Sequence, residues 1–550
     1  MSRSSLGILV ALAATALSLT ACGRALPTAA QLAGASAGGG DASAGLSPTT
    51  DPPRSTYRKP VVWATYRMVQ TLDPIQAFDY PEDTVDTALC DSVLRQNPDG
   101  TIGAGLAVAT YPTATKLVLN LRAGPAFWDG KPVTAADVVY SLDRAANPKG
   151  GGFYAASFSR VKSIVVTSPS EVTITLKQPD YWLAGELSQM PGIVVEKAYA
   201  EKKGKSFGTP QGLTMCSGPY EVKKWVAGQE LVAVANPHYW DSTLTPRVHE
   251  LIFKGVPDDA SLTAGLETGA LQGTYPTAIS TLPQLQRAKT LTVSEGPSFG
   301  VDAMVICNLK GALKDVRVRQ ALSMAIDRSA YIQAIYHGYA QLTRAAENPG
   351  AWGYGKSVFA RDWARLPVPT VNLGKARALI KAAGATGESI TIGTTSQVQQ
   401  LDTASNLTRQ AATEIGLKVT IKSVSAADFI NFFTDAGARK GIDMFPTGNY
   451  PDYADPAGLY RTFALADGSQ NYDGFDNPAI TAALDASRAA ADPNLRATYV
   501  ARAGDLIMQQ LPWIPLAAPD SLLITSRQLT GAPTSFVYMG GPWANMMGRR

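Results

Sequence analysis

The N-terminal segment constrains this chain most strongly. Arg3 precedes an apolar run over residues 6–19, and small residues follow directly before Cys22. A charged start, a short apolar run and small residues before a cut are typical of a secretory signal, and the run is too short to span a bilayer. The sequence therefore predicts a signal peptide over residues 1–21, with Cys22 as the lipidated first residue of the mature protein. The alternative is an ordinary signal peptide followed by a chance cysteine.

Length and composition indicate the size and the type of the protein that remains after the signal peptide is removed. About five hundred residues exceed one ordinary core, which predicts at least two large lobes. Hydrophobic residues make up 45% and charged residues 17%, as in globular proteins. The 49 basic and 45 acidic residues give a net charge of +4. This near-neutral balance, without a dense basic stripe, argues against a nucleic-acid partner.

Residues 22–58 are predicted to form a flexible tether, because Gly, Ala, Ser, Thr and Pro dominate there. Residues 34–38 fit the G-x-S-x-G spacing of a hydrolase nucleophile, but no strand precedes them and no helix follows. We interpret them as linker composition. The three histidines lie outside recognisable catalytic motifs, and the cysteines are isolated. The sequence therefore predicts no catalytic residues and no metal site.

Strand and helix patterns alternate from Pro60 onward, which favours mixed α/β lobes. Thr134 has the character of a helix N-cap, and Asp137 stands at the matching position of a capping box. Strands are predicted at 61–64, 116–121 and 171–176, and helices at 83–94 and 315–337.

Several short motifs follow one another along the chain. They are L-D-P at 72–74, N-P-D-G at 97–100, F-W-D-G-K-P-V-T-A-A-D-V-V-Y-S-L at 127–142, C-S-G-P-Y at 216–220, N-P-H-Y-W at 236–240, D-V-R-V-R-Q-A-L-S-M-A-I-D-R at 315–328 and P-W-I-P-L at 512–516. In this order they resemble the family-5 extracellular solute-binding proteins of ABC importers, the oligopeptide- and dipeptide-binding group. The resemblance covers nearly all of the chain after the tether.

The resemblance implies an α/β, two-lobed periplasmic-binding-protein-like fold of class II, cluster C type, with an extra subdomain inserted in lobe I. A ligand would lie between the lobes and close them by a hinge motion. A membrane permease would read the closed form, and neither a cofactor nor an oligomeric partner is expected. The implied boundaries are lobe I at 59–305 with its subdomain at about 98–212, lobe II at 306–514, and a C-terminal segment at 515–550 that completes lobe I.

The stretch Asn449–Pro456 resembles the family's Asp-Tyr-x-Asp/Glu-Pro core in lobe II. In peptide-binding members the first aspartate pairs with the peptide α-ammonium, and here it is Asp452. A carboxylate in a partly dry cleft binds an ammonium strongly. The alternative is a loop aspartate that caps a helix or turn. Peptide binders often carry an aromatic residue where this chain has Asn449, which weakens the case for oligopeptides.

Further ligand contacts are implied around this aspartate and across the cleft. Tyr450 and Tyr453 flank Asp452. Phe78, Asp79 and Tyr80 follow the L-D-P turn, where family members present residues to the ligand. The alternative for the aromatic side chains is ordinary core packing. A last contact, from the inserted subdomain, is Tyr154, for which the alternative is a surface loop.

If Cys22 is lipidated, Cys90, Cys216 and Cys307 allow at most one intramolecular disulfide. An oxidising exterior permits such a bond. By the resemblance, Cys216 precedes a strand of lobe I, and Cys307 lies where the chain leaves lobe I. We predict that Cys216 pairs with Cys307 and that Cys90 stays reduced.

The sequence thus favours a lipid-anchored, monomeric receptor that delivers small peptides to an ABC permease. A second interpretation keeps the fold but changes the ligand to an oligosaccharide, a glycolipid or a metal chelate, since fold does not determine ligand. A distant third is a secreted hydrolase, and a purely structural envelope protein is a further alternative.

Overall fold

Two large sheets organise the fold. A computed structural model of the protein describes residues 46–276 and 280–550. The predicted signal peptide, Cys22 and the tether up to residue 45 lie outside the described residues. In the described part of the chain, no helix is both long and apolar enough to cross a membrane.

The strands are β1 (Val61–Thr65), β2 (Leu94–Gln96), β3 (Ile102–Ala104), β4 (Ala107–Thr113), β5 (Lys116–Leu121), β6 (Val161–Ser168), β7 (Glu171–Leu176), β8 (Tyr220–Val226), β9 (Glu230–Ala235), β10 (Glu250–Gly255), β11 (Gly273–Thr274), β12 (Leu291–Gly296), β13 (Val301–Ile306), β14 (Ala340–Gln341), β15 (Ser389–Thr394), β16 (Lys418–Ser423), β17 (Met444–Asn449), β18 (Trp513–Pro519), β19 (Ser521–Ser526), β20 (Leu529–Thr530) and β21 (Gly548–Arg549).

The α-helices are α1 (Tyr80–Leu89), α2 (Ala135–Ala146), α3 (Leu183–Glu186), α4 (Lys197–Lys203), α5 (Asp259–Thr268), α6 (Leu282–Arg287), α7 (Val316–Ala325), α8 (Arg328–Tyr336), α9 (Lys356–Arg365), α10 (Leu373–Ala382), α11 (Gln399–Glu414), α12 (Ala426–Phe429), α13 (Asn431–Thr434), α14 (Pro456–Ala464), α15 (Pro478–Ala489) and α16 (Pro493–Gln510).

Each large sheet forms the centre of one lobe. Among the described residues, the first sheet has the order β12-β19-β11-β1-β10-β9-β8, and the second has the order β14-β18-β13-β17-β15-β16. The central strands β13 and β18 are almost wholly buried, which suits their nearly continuous apolar sequences. A smaller sheet, β4-β5-β7-β6, lies within the range predicted for the inserted subdomain.

The chain passes between the two sheets at two adjacent places. One crossing joins β12 to β13, and the other joins β18 to β19. The buried side-chain amide of Asn348 donates hydrogen bonds to the carbonyl oxygens of Gly300 and Pro519, each at 2.9 Å. Because these carbonyls belong to different crossings, one side chain ties the two connections together.

The last part of the predicted tether is ordered against the C-terminal segment. The amide of Thr534 donates to the carbonyl of Pro48 at 3.0 Å, and the amide of Arg54 donates to that of Arg549 at 2.9 Å. The prediction of a flexible tether is therefore wrong for residues 47–58. Its Pro- and Thr-rich composition is typical of linkers, but extended backbone of this kind also pairs with neighbouring chain.

The helices predicted at 83–94 and 315–337 have different bounds in the structure. The helix predicted at 83–94 begins earlier, because Asp79 caps it by accepting from the amide of Tyr80 at 2.8 Å. The chain is extended at Cys90, where this helix ends. The helix predicted at 315–337 is two helices, α7 and α8. Asp327 caps the second by accepting a hydrogen bond from its first turn.

The capping box is confirmed. The Thr134 hydroxyl accepts from the amide of Asp137 at 3.3 Å, and Asp137 Oδ2 accepts from the amide of Thr134 at 3.0 Å. The predicted strands at 61–64, 116–121 and 171–176 are present as β1, β5 and β7.

The predicted disulfide is wrong. The structure pairs Cys90 with Cys216, whose Cα atoms are 4.9 Å apart, and leaves Cys307 as a thiol. Cys90 ends α1 and meets the segment before β8, where the amide of Gly218 donates to the carbonyl of Leu89 at 3.1 Å. Cys307 follows β13 in the second sheet, so it belongs to the other lobe. The bond therefore fastens α1 within the first lobe.

Candidate ligand-binding site

Helix α1 of the first lobe faces the loop that joins β17 to α14 in the second lobe. The rings of Tyr80 and Tyr450 meet across this boundary with centroids 5.2 Å apart. Phe536, from the C-terminal segment, packs against both rings at 5.8 and 4.9 Å. These aromatic side chains place the α1 surface opposite the loop that carries the predicted ammonium ligand.

Asp452 is exposed within this cleft and has no hydrogen bond or ion pair to a described residue. Arg461, the cation whose charge acts on Asp452, makes its ion pair with the buried Glu186 at 2.5 Å instead. The surrounding protein limits hydration of the Asp452 carboxylate, which together with the nearby charge of Glu186 raises its pKa to about 6, although Arg461 acts in the opposite direction. Asp452 is thus an accessible carboxylate without a counter-ion.

The neighbouring aspartate fills the capping role that was the alternative for Asp452. Asp455 accepts from the amide of Ala457 at 2.9 Å and from the hydroxyl of Tyr354 at 2.9 Å, so it begins α14. The ring of Tyr453 is buried against Gly185, where an added Cβ would lie 2.3 Å from Tyr453 Cε2. Tyr453 therefore contributes to the contact between the lobes, and Asp452 is left free.

Asp79 has partners of its own. It accepts from Arg67 at 2.8 Å and from the hydroxyl of Tyr66, and Arg67 also pairs with Glu82 at 2.7 Å. The charge of Asp79 is therefore compensated within the first lobe. Its neighbour Tyr80 does face the second lobe.

The other predicted contacts divide into two groups. Tyr154 is buried near Asp452, and its hydroxyl donates to the carbonyl of Ala77. Phe78 is 58% exposed, with its ring 4.3 Å from that of Phe153. The side-chain amide of Asn449 donates a hydrogen bond to Gln470, so this side chain is engaged within the second lobe. The structure therefore brings Tyr80, Tyr154, Tyr450 and Asp452 together, with Phe78 on an exposed edge.

Sequence reasoning missed two acidic residues of α1. Asp83 and Asp86 are buried, and burial raises the pKa of both carboxyls well above the usual range. For Asp83, the negative charge of Asp452 is the largest cause of the raised pKa after burial. The available signal was the pattern E-D-x-x-D, which places three acidic residues within positions 82–86.

A second contact between the lobes lies at residues 180–186. Asp180 accepts from Arg488 in α15 at 2.9 and 2.5 Å, and the Asp180 side chain is fully buried. Trp182 is buried among core residues of the second lobe, with the Arg488 guanidinium 5.5 Å above its ring. We call this pair, Asp180 and Arg488, the interlobe latch.

A two-lobed fold with an uncompensated carboxylate between its lobes suits the capture of a solute. Residues 105–471 match the family described as bacterial extracellular solute-binding proteins, family 5 Middle. The chain belongs to this family. The resemblance seen in the sequence motifs is thereby confirmed.

Family-5 solute-binding proteins serve transport, and they are not enzymes. This protein is accordingly an extracytoplasmic substrate-binding protein of an ABC importer, with a membrane permease as its partner. The expectation that the chain is not an enzyme is confirmed by its family.

A curated relative and two solved structures are similar to this chain. The chain is 27% identical over 490 residues to the glutathione-binding protein GsiB from Salmonella choleraesuis (strain SC-B67), covering 86% of this chain and 91% of GsiB. DppA from Helicobacter pylori, in complex with the peptide STSA, has a TM-score of 0.75 at 20% identity, over 90% of this chain and 98% of DppA. AgaA from A. tumefaciens R10, in complex with agropinic acid, has a TM-score of 0.76 at 20% identity, over 90% of this chain and 99% of AgaA. These structures confirm the two-lobed periplasmic-binding fold.

Proposed function

We propose that this family-5 solute-binding protein captures small peptides by the amino end, with Asp452 as the counter-ion of the peptide α-ammonium. The observation that carries the proposal is the state of Asp452: an accessible carboxylate, walled by protein, while Arg461, the cation whose charge acts on it, is paired elsewhere. A charge-assisted hydrogen bond from an ammonium would compensate this charge. Tyr80, Tyr154 and Tyr450 surround the same space and would contact the peptide backbone and side chains.

The relatives support a peptide but also keep the alternative open. GsiB is named for glutathione, and DppA holds a peptide, whereas AgaA holds agropinic acid. The second interpretation, a non-peptide solute, is favoured by Asn449, which provides no aromatic wall before Asp452. The charge on the ligand's amino end distinguishes the two interpretations.

The experiment is calorimetry with trialanine and N-acetyl-trialanine on the wild type and Asp452→Asn. The substitution leaves a desolvated ammonium without its counter-ion, which costs about 2–5 kcal/mol of binding free energy. We expect trialanine to bind Asp452→Asn about thirtyfold to several thousandfold more weakly than the wild type. Asp467→Asn, an exposed aspartate beyond α14, is the matched control and should bind as the wild type does. Equal affinity for the free and acetylated peptides would refute recognition of the amino end, and no binding of either peptide would favour the non-peptide interpretation.

The pKa of Asp452 gives the same experiment a pH dependence. Below its pKa of about 6 the carboxyl is protonated in the free protein, so an ammonium gains less from binding. Trialanine affinity should therefore fall about tenfold from pH 7.5 to pH 5.0, as expected for one group that must lose its proton. Asp452→Asn should lack this decline.

We further propose that Cys22 carries the lipid that holds the protein at the membrane, and that the protein acts as a monomer. The support is the signal sequence that ends directly before Cys22. The lobe boundaries inferred from the sequence stay part of this proposal. A diacylglyceryl group supplies two acyl chains, which suffice for stable anchoring where one chain does not.

A further inference from the structure

Two aspartates, Asp83 and Asp86, follow Tyr80 in α1, and both are buried. Asp83 and Asp86 are three residues apart, so they share one face of the helix. Asp86 is 0% and Asp83 is 8% exposed. Among the described residues, neither Asp86 oxygen has a hydrogen-bond partner, and Asp83 Oδ1 has none. Burying a polar group in this way is costly, and burying an unpaired charge is more so.

The buried carboxylate of Asp302, by contrast, has several hydrogen-bond donors. Asp302 accepts from the hydroxyls of Tyr331 and Tyr336 at 2.8 and 2.6 Å and from the amide of Gln400 at 2.8 Å. It is as buried as Asp83 and Asp86, yet it has three donors. Asp83 and Asp86 therefore differ from Asp302 in the donors they lack, and not in the extent of their burial.

The nearby cations are already paired. Arg67 binds Asp79 and Glu82, and Arg461 binds Glu186. Asp83 lies three residues after Tyr80 in α1, and the Tyr80 ring meets that of Tyr450 in the second lobe at 5.2 Å. After burial, the charges of Asp83, Asp452 and Asp86 are the next causes that raise the pKa of the Tyr154 hydroxyl, so the three carboxyls lie in the same region. One ammonium on Asp452 would leave the other two without compensation.

We propose that Asp83 and Asp86 form a second cation subsite, which selects solutes with a positive charge beyond the ammonium held by Asp452. The inference rests on the proposed function and names its substrate class: peptides with a lysine or arginine side chain close to the amino end. Among the described residues, no group of three acidic, histidine or cysteine side chains is arranged to hold a metal ion. The subsite thus suits an organic cation, which can donate several hydrogen bonds to both carboxylates.

The test is calorimetry on the full chain with Ala-Lys-Ala and with Ala-norleucine-Ala, which has nearly the same shape without the charge. We expect the wild type to prefer the lysine peptide at least tenfold. In the double variant Asp83→Asn, Asp86→Asn, which keeps side-chain shape, the preference should fall to about one. Asp467→Asn, which changes an exposed aspartate, should keep the wild-type preference. Because the first comparison uses the wild type alone, it does not depend on the variant folding.

A peptide-independent probe, 1,5-diaminopentane, separates this inference from the proposed function. If both peptides bind equally and the diamine does not bind, the subsite is refuted while peptide capture stands. If only the diamine binds, and binding is lost in the double variant, the subsite stands and peptide capture is refuted. If none of the three binds, both are refuted.

Discussion

The interlobe latch should control how firmly the lobes close around a solute. Asp180→Asn removes the charge that Arg488 faces at 2.5 Å in a fully buried setting. Breaking a buried ion pair by removing one partner costs about 3–5 kcal/mol. Asn can still accept one hydrogen bond, so we expect the lower end of this range, about 3 kcal/mol, to be lost from the closed state. If opening of the lobes exposes Arg488 to water, the loss appears as about 150-fold weaker ligand binding.

The assay is calorimetry with the best-binding peptide, together with small-angle X-ray scattering of the liganded protein. Asp485→Asn is the matched control, because Asp485 pairs with Arg160 at the same contact but is 62% exposed. An exposed pair contributes at most about 1 kcal/mol, or about fivefold in affinity. A double-mutant cycle with Arg488→Gln isolates the pair itself. If Asp180→Asn binds like the wild type, the pair is equally formed in open and closed protein, and the reasoning is refuted.

Two further predictions concern the cysteines. Alkylation of denatured, unreduced protein should modify Cys307 but neither Cys90 nor Cys216, and a peptide mass that shows a bond to Cys307 would contradict the structure. The double variant Cys90→Ala, Cys216→Ala should have a free energy of unfolding about 5 kcal/mol lower than the wild type. This value follows from the 126-residue separation of the two cysteines in the chain-entropy relation. Cys22→Ser should shift the protein from the membrane fraction toward soluble protein or uncleaved precursor, and unchanged fractionation would argue against lipidation.

Local sequence signals predicted local structure well. The box formed by Thr134 and Asp137 involves neighbouring residues only, so its pattern was sufficient. The prediction of a single helix at 315–337 was wrong because the apolar periodicity continues past the end of the first helix. The cap at Asp327, which begins the second helix, was not recognised. The family resemblance, supported by motifs along the whole chain, supplied the two-lobed fold that no single motif could.

Long-range pairing was harder to predict. Cys90 and Cys216 meet because α1 packs beside the segment before β8, which spacing along the chain does not reveal. The family resemblance directed attention to Asp452, whose role as a ligand contact stays a prediction, whereas no motif directed attention to Asp83 and Asp86. Their importance depends on the absence of partners, and partners are set by tertiary packing.

The Asn348 bridge has a mechanical consequence. Two adjacent connections that are hydrogen-bonded to the same side chain favour rotation of the lobes about a single hinge axis, and they oppose sliding or twisting of one lobe against the other. Each closing movement would then return Asp452 to the same place opposite α1, without any adjustment by the solute. An Asn348→Ala protein would lose this alignment, and a permease that recognises one closed shape would meet a broader set of shapes.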